Sequence, residues 1–506
     1  MNFKNLFNAG IAGDLIALVA GILLTFSFAP FDIYPLAILA MLLLLSTWLY
    51  VSPQQAFRRG FMFGLGNFGS GVYWVYISIH TFGSVPIWLS AFITLGFVSI
   101  LALFPAVSGY FLCRYFPKVD FPKTVLAFPA YWMILEWSRS WVLTGFPWLL
   151  LGYSQMNSWL RGYAPVLGVY GVSMAVLLTS SLLLQGFLFY RQRLLKKAFY
   201  NLLFLIALWV GGGLLLPINW THPLGKPLKI SLIQGNIAQQ IKWSPESIKP
   251  TLDRYVGFTR DHWGSDIIVW PEGAIPVPWP AAQAITDKIG KEAVSNHATI
   301  ITGIPIRADL LGNFYNAIIT FGVDENAYFK RHLVPFGEFT PFSRWLKKPL
   351  SFLNIPMSDF LPGNSSVQQL NVAGITISPF ICYEIAFPEF VKRKIDAGLL
   401  LNVSDDAWFG HSIAAAQHLQ IAQMRSLELN KPQLFVGNDG LTAIIDHRGE
   451  IEAIAPPYVP YVLTGNVQPY MGATLWQLFG MDPLMLLILA MLIKAMLLKR
   501  KAALKP

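Results

Sequence analysis

Charge is scarce in this chain. Asp, Glu, Lys and Arg make up 13% of 506 residues, where a water-soluble domain carries about 25%. Hydrophobic residues reach 54%, so a wholly soluble protein is excluded. Cysteine is scarcer still: Cys113 and Cys382 are the only two, too few for a disulfide framework. Also missing are a CxxC pair, an HExxH helix and a glycine-rich phosphate loop, and the eight histidines are scattered. Neither a metal site nor a cofactor is expected. Acidic residues are outnumbered, 27 to 37, for a net charge of +10. That excess could suggest nucleic acid, but its positions argue otherwise. The basic residues sit in short loops between apolar runs, at Arg58 and Arg59, at Arg114 and Lys118, and at Arg191, Arg193, Lys196 and Lys197, with Lys499, Arg500 and Lys501 near the end. Loop cations of this kind mark a membrane protein rather than a nucleic-acid face.

The apolar runs are what the chain has in place of charge. The first covers about residues 11–29. No small-x-small cleavage site follows it, so a retained helix is expected. Further runs lie near 33–50, 60–80, 87–112, 124–146, 164–190, 200–217 and 474–498, each of a length to span about 30 Å of hydrocarbon. The expectation is therefore an α-helical membrane domain of about eight transmembrane helices, seven of them in residues 1–220. Every second loop is basic, which places the N-terminus in the cytoplasm. A globular domain at about 226–470 then lies outside it, periplasmic in a bacterial inner membrane, and the basic tail 499–506 returns to the cytoplasm. Within the membrane part, Gly60, Gly64, Gly66, Gly69 and Gly71 read as a helix-packing face. Glu136 and Arg139 are three apart and able to pair, or to fix the following Thr144-Gly145-Phe146-Pro147-Trp148 loop. Trp74, Trp132, Trp137, Trp141 and Trp148 read as interface anchors.

In the globular part, β-like segments at 228–236, 267–272, 298–304, 317–321, 328–334, 374–381, 399–403, 433–436 and 441–445 alternate with helical stretches at about 245–262, 281–295 and 412–430. Alternation of this kind implies a layered α/β domain. Three of the β-like segments carry one reactive group each: Glu272, Lys330 and Cys382. Taken singly each has an ordinary reading. A buried cysteine is usually a small hydrophobe, Glu272 could be a solvated carboxylate, and Lys330 a surface cation beside Arg331. Together they suit acyl transfer. A thiol with a pKa near 8.5 needs a base, which a glutamate can be. The oxyanion formed on attack needs a donor, which a lysine ammonium and the backbone N–H after the cysteine can supply.

Trp270-Pro271-Glu272, Lys330 with the following Arg-His-Leu-Val-Pro-Phe-Gly-Glu338, and Cys382-Tyr383-Glu384 resemble the signature segments of the nitrilase superfamily. That resemblance implies a Glu-Lys-Cys triad on an αββα sandwich. A nitrilase-like domain between seven spans and one resembles the apolipoprotein N-acyltransferases of bacterial inner membranes. Glu136-Trp-Ser-Arg139, the loop at 144–148, Leu333-Val-Pro-Phe-Gly-Glu338 and Asn402-Val-Ser-Asp-Asp-Ala-Trp408 look like motifs of the same family. The resemblance implies that Cys382 takes an acyl chain from a membrane phospholipid, typically phosphatidylethanolamine, and passes it to the α-amine of a diacylated apolipoprotein. Glu272 would be the general base and Lys330 the oxyanion partner. Glu338 would orient Lys330 or the amine, Tyr383 would lend its N–H, Glu384 would hold the loop, and Trp243 would line the substrate cleft. A monomer is expected, with an active site at the membrane surface, and the aromatic segments 336–342 and 349–360 are candidates to dip toward lipid. One alternative is a membrane-anchored amidase with water as acceptor. Another is a non-enzymatic transporter or receptor.

Overall fold

A computed structural model describes residues 10–309, 312–340, 360–364, 369–392 and 396–503. Two compact units emerge. One comprises Met1–Tyr73, Trp88–Ile218 and Leu478–Pro506; the other comprises Trp74–Ile87 and Asn219–Gln477.

The first unit is helical. Its main α-helices are Gly10–Thr25, Pro35–Thr47, Pro53–Gly71, Ile87–Tyr115, Phe128–Ser138, Ala164–Arg191, Leu195–Leu215 and Asp482–Ala503. Among the described residues, three helical segments are long and apolar enough to cross a membrane: Ile87–Tyr115, Trp159–Arg191 and Leu195–Leu215. The eight runs of the sequence thus meet helices, but five do not match the expected length and composition. Gly10–Thr25 and Pro35–Thr47 are 16 and 13 residues long. Pro53–Gly71 carries Gln54, Gln55, Arg58 and Arg59. The run at 124–146 stops as a helix at Ser138, and the run at 474–498 is broken by Gly480 at φ 56°.

The glycine face works by close approach. A methyl group at Gly64 would lie 2.5 Å from the Ala102 Cα, and one at Gly66 2.2 Å from the Leu18 carbonyl. Glu136 and Arg139 are both buried and face the loop that follows them. Glu136 Oε1 accepts the Leu151 N–H at 2.5 Å, and Arg139 donates to the carbonyls of Phe146, Trp148 and Leu149. Of the tryptophans expected as anchors, Trp141 is exposed, whereas Trp148 is buried. Trp74 is buried too and belongs to the other unit, where its indole donates to Gln417 Oε1 at 3.2 Å.

The second unit is a four-layer sandwich. Its strands are β1 (Leu228–Gln234), β2 (Ile267–Val269), β3 (Thr299–Arg307), β4 (Phe314–Gly322), β5 (Asn326–Phe329), β6 (Leu370–Val372), β7 (Ile375–Ile381), β8 (Leu399–Ser404), β9 (Gln433–Gly437), β10 (Ala443–Ile445), β11 (Ile451–Ile454) and β12 (Tyr461–Val467). One six-stranded sheet runs β12-β1-β2-β3-β4-β5 and the other β11-β10-β9-β8-β7-β6. Their centres are parallel, β1 with β2 and β3 in one, β7 with β8 and β9 in the other. Side chains alternate between the faces of a strand. Ile267 and Val269 of β2, with Leu399, Leu401 and Val403 of β8, fill the core between the sheets. Ile268, on the opposite face of β2, packs instead with Leu252, Tyr255 and Ile289 of helices α1 (Pro245–Arg260) and α2 (Gln283–Ser295). Helix α3 (Ala414–Leu429) lies on the second sheet, with His418 edge-on to Phe435 of β9.

Candidate active site

The reactive groups stand where strands end. Beyond β2 the chain turns through Trp270-Pro271-Glu272 to Gly273, at φ 59°. This turn presses on β3 so closely that a methyl group at Gly303 would sit 2.5 Å from the Gly273 nitrogen and 2.7 Å from the Glu272 Cα. Glu272 is thereby aimed at three partners. Oε1 accepts from Asn316 Nδ2 at 2.7 Å and faces Lys330 Nζ at 3.5 Å; Oε2 accepts the Asp405 N–H at 3.1 Å.

Lys330 follows β5, one residue past its end, and its side chain is 1% exposed. Its ammonium pairs with Glu338 Oε1 at 2.8 Å. Glu338 in turn accepts from Asn316 Nδ2 at 2.9 Å and from the Val334 N–H at 2.7 Å. Burial works against the Lys330 charge, but Glu338 and then Glu272 outweigh it and hold the ammonium well above the usual lysine range. An ammonium has three N–H donors, and these two carboxylates engage two of them.

Cys382 follows β7 directly and opens a tight turn, Cys382–Ala386. Its backbone is left-handed, at φ 51°, a strained setting for a residue with a side chain. Glu384 holds the turn. It is fully buried, with Oε1 accepting the N–H groups of Arg331 and His332 at 2.7 and 3.1 Å, and Oε2 accepting Tyr328 Oη and the Ile381 N–H at 2.8 and 2.9 Å. One carboxylate thus ties the cysteine turn to the lysine segment. Cys382 keeps some accessible surface, yet the packing around its sulfur removes enough water to push the thiol well above the usual range. The Glu272 carboxylate adds to that rise, while Lys330 opposes it. Thiol, carboxylate and ammonium therefore share one field.

The structure brings Glu272, Lys330, Glu338, Cys382 and Glu384 together, with Tyr383 buried in the turn beside Phe387. Trp243 stands at the rim, 36% exposed, its ring 3.7 Å from where a Gly273 Cβ would lie. Of the two aromatic segments expected to dip toward lipid, residues 341–359 lie outside the described residues. Phe336 is exposed, whereas Phe360 is buried and bridges Phe314 of β4.

Three further groups at the site, Lys242, Asn316 and His418, escape sequence reasoning, and a fourth, Asp405, was read only as part of the 402–408 motif. Lys242 is buried, donates to the Glu272 carbonyl at 3.0 Å and pairs with Asp405. Burial raises the Asp405 carboxyl, and Lys242 and Asn438 pull it back. Asn316 joins the two glutamates, and His418 lies behind the cysteine turn, 3.2 Å from the Cys382 carbonyl. Lys242 had a faint signal, as the neighbour of Trp243. Asn316 and His418 had none, because each sits inside an ordinary strand or helix pattern.

The sandwich and its strand-end cluster define a carbon-nitrogen hydrolase unit, and residues 229–474 match the carbon-nitrogen hydrolase family model. A solved superfamily member from Xanthomonas campestris aligns with 48% of this chain and 91% of its own, at 19% identity and a TM-score of 0.38. Residues 20–182 match the model of the apolipoprotein N-acyltransferase N-terminal domain. The apolipoprotein N-acyltransferase of Coxiella burnetii is 41% identical over 91% of this chain and 95% of that protein, and that of Methylococcus capsulatus is 41% identical over 92% of each. The Photobacterium profundum protein of the same name is 38% identical over 99% of this chain and 97% of its own. The chain belongs to the apolipoprotein N-acyltransferase family: it is a bacterial membrane acyltransferase of lipoprotein maturation.

Proposed function

We propose that the enzyme works in two half-reactions through a thioester on Cys382. In the first, the Cys382 sulfur attacks an acyl-ester carbonyl of a membrane phospholipid, of which phosphatidylethanolamine is the expected one. Glu272 takes the thiol proton. The oxyanion is met by the Lys330 ammonium and the Tyr383 backbone N–H. Collapse expels the glycerol oxygen, which takes the proton from Glu272, and lysophospholipid leaves. In the second, the α-amine of the diacylglyceryl-cysteine of an apolipoprotein attacks the thioester. Glu272 accepts the amine proton and returns it to the departing sulfur, leaving an amide on the lipoprotein. Glu338 keeps Lys330 charged and in place, Glu384 holds the nucleophile's turn, and Trp243 lines the entrance.

The observation that carries this reading is the shared field of the thiol, Glu272 and Lys330. The rise of the thiol above the usual range means that the resting sulfur holds its proton. Attack then requires a base in place, and Glu272 is the carboxylate whose charge reaches the sulfur most strongly. Lipid-anchored substrates suit a chain with apolar helices, since drawing an acyl chain from a bilayer costs about 0.8 kcal/mol per CH₂.

The arrangement in the membrane follows the loop charges. Eight spans, seven before residue 220 and one at 474–498, leave both termini in the cytoplasm and residues 226–470 in the periplasm as the catalytic domain, in a protein that acts as a monomer. The test of the chemistry is intact-protein mass spectrometry after incubation with phosphatidylethanolamine. One acyl group is expected on Cys382, discharged by a diacylated lipopeptide that emerges N-acylated. Release of free fatty acid in place of that product would favour the amidase reading. An active enzyme that never carries an adduct would overturn the two-step scheme.

A further inference from the structure

The cysteine turn is held from behind by groups that the acyl-transfer steps do not use. The Cys382 carbonyl lies 3.2 Å from His418 Nε2. On the other side of the ring, His418 Nδ1 is 3.0 and 3.2 Å from the two carboxylate oxygens of Asp406, and 3.5 Å from Ser404 Oγ. Ser404 gives its hydroxyl proton to Asp406 Oδ1 at 2.9 Å. His418 and Asp406 each leave 2% of their side chains exposed, and the ring meets Phe435 edge-on at 5.1 Å. The two ring nitrogens therefore face two acceptors, a peptide carbonyl and a carboxylate already taking a proton from Ser404. Neutral imidazole has one N–H and can satisfy only one of them. Nε2 is the nitrogen that reaches the cysteine turn.

The peptide plane gives the contact a consequence. The Cys382 carbonyl and the Tyr383 N–H belong to one rigid trans peptide, so they point in opposite directions and turn together. Holding the carbonyl on His418 therefore aims the Tyr383 N–H away from α3. We propose that His418, seated against Asp406, clamps the Cys382 carbonyl with its Nε2–H and so positions the Tyr383 N–H for the oxyanion. The inference rests on the reading of Cys382 as the acyl carrier. It makes His418 a positioning residue: it acts through the peptide and touches no substrate atom.

Two reactions of the same sulfur separate this role from a merely structural one. Acylation by phospholipid passes through an oxyanion, whereas alkylation by iodoacetamide does not. In His418→Leu, single-turnover acylation of Cys382 is expected to fall about 100-fold, the scale of one lost oxyanion donor. Alkylation of the same cysteine is expected to fall by less than about tenfold, since Glu272, Lys330 and Ser404 remain beside the sulfur and only the group facing Asp406 is lost. His418→Gln retains an N–H at the position of Nε2 and is expected to recover about tenfold of the acylation lost, as a restored hydrogen bond would. Parallel loss of both reactions, or no loss of acylation, would overturn the positioning role. The proton on Nε2 is read independently in the full-length wild type by ¹⁵N NMR of labelled histidine, with the His418 signals identified as those missing from His418→Gln. A proton on Nε2 is expected, and a bare Nε2 would overturn the clamp. If wild-type Cys382 itself takes no acyl group, the reading of the site fails, while the NMR result still decides the protonation of His418.

Discussion

At the scale of single residues, Lys330 shows how burial and charge are balanced. Its ammonium is shielded from water, and Glu338 and Glu272 supply the compensation that water would otherwise give. Lys330→Met would leave two carboxylates facing each other, and removing one partner of a buried pair costs about 3–5 kcal/mol. Acylation should fall by about 10²–10³, and the midpoint of thermal unfolding in detergent should drop with it. An unchanged midpoint would show that the ion pairs do not brace the fold. Cys382 makes a prediction in pH. Burial and Glu272 raise its thiol, so the folded protein keeps this proton beyond the range where an ordinary cysteine ionises, near pH 8.5. The rate of inactivation by iodoacetamide should therefore keep climbing above pH 8.5, and a plateau reached by pH 8 would contradict the shift. The sign for stability follows from linkage. The folded state binds the proton more tightly than the unfolded chain, so this group's contribution to stability is full below the ordinary cysteine pKa and declines as pH rises through the folded value.

At the scale of elements, the site depends on how closely turns meet strands. Gly303→Ala would place a methyl group 2.5 Å from the Gly273 nitrogen, against backbone that cannot swing aside. The Glu272 turn must then move. A displacement of about 1 Å costs on the order of 10²-fold in rate, so the variant should lose acylation at that scale while still folding. Wild-type activity would show that the turn has slack. A second element lies far back in the sequence. Trp74 packs against Phe409 with ring centroids 4.5 Å apart, and Phe82 packs against Trp408 at 5.7 Å. These rings prop the segment that carries Asp405, whose N–H meets Glu272, and Asp406, whose carboxylate meets His418. Trp74→Ala should lower turnover several-fold through this segment, in keeping with about 3–5 kcal/mol for deleting a buried aromatic. Chymotryptic cleavage at Trp408 or Phe409 would report the loosening, and protection equal to wild type would count against the prop.

The central strands β1, β2, β3, β7, β8 and β9 and the three long helices α1, α2 and α3 were legible in the sequence, as apolar runs and amphipathic stretches. Three strands were not. In β11 the residues are exposed on both faces apart from a half-buried Ala453, so no alternation marks it. β12 carries Gly465 and Asn466, residues that strands usually avoid, and earns its place only by pairing along β1. The third, β6, is three residues long.

At the scale of the whole molecule, loop cations such as Arg59 were read as topology signals, and the structure gives Arg59 and its neighbour in space Lys123 a further task. Arg59 Nη1 donates to the Thr47 carbonyl at 2.5 Å, and Lys123 Nζ donates to the Trp48 and Leu49 carbonyls at 2.7 and 3.1 Å. Both side chains are buried. They satisfy the open C-terminal end of helix Pro35–Thr47, where cations are also favoured by the helix dipole. The proposed topology can be tested with single cysteines added in a Cys113→Ala, Cys382→Ala background. Lys226 and Arg500 are both exposed. Lys226→Cys should react with an impermeant maleimide in intact spheroplasts, and Arg500→Cys only after lysis. The reverse pattern would invert the assignment.

The sequence alone determined the membrane class, the order of apolar and globular parts, and the residue types able to carry acyl transfer. These rest on composition, on runs of apolar residues and on side-chain chemistry, all of which are local. Tertiary structure decided what is not local. It showed that Glu272, Lys330 and Cys382 share one field, because register and sheet order set which strand ends meet. It set Glu384 between two chain segments, gave the Glu136 and Arg139 side chains a loop to hold, and moved Trp74 from an expected anchor to a buried prop. It also put His418 behind Cys382, where one helix position out of many faces a single carbonyl.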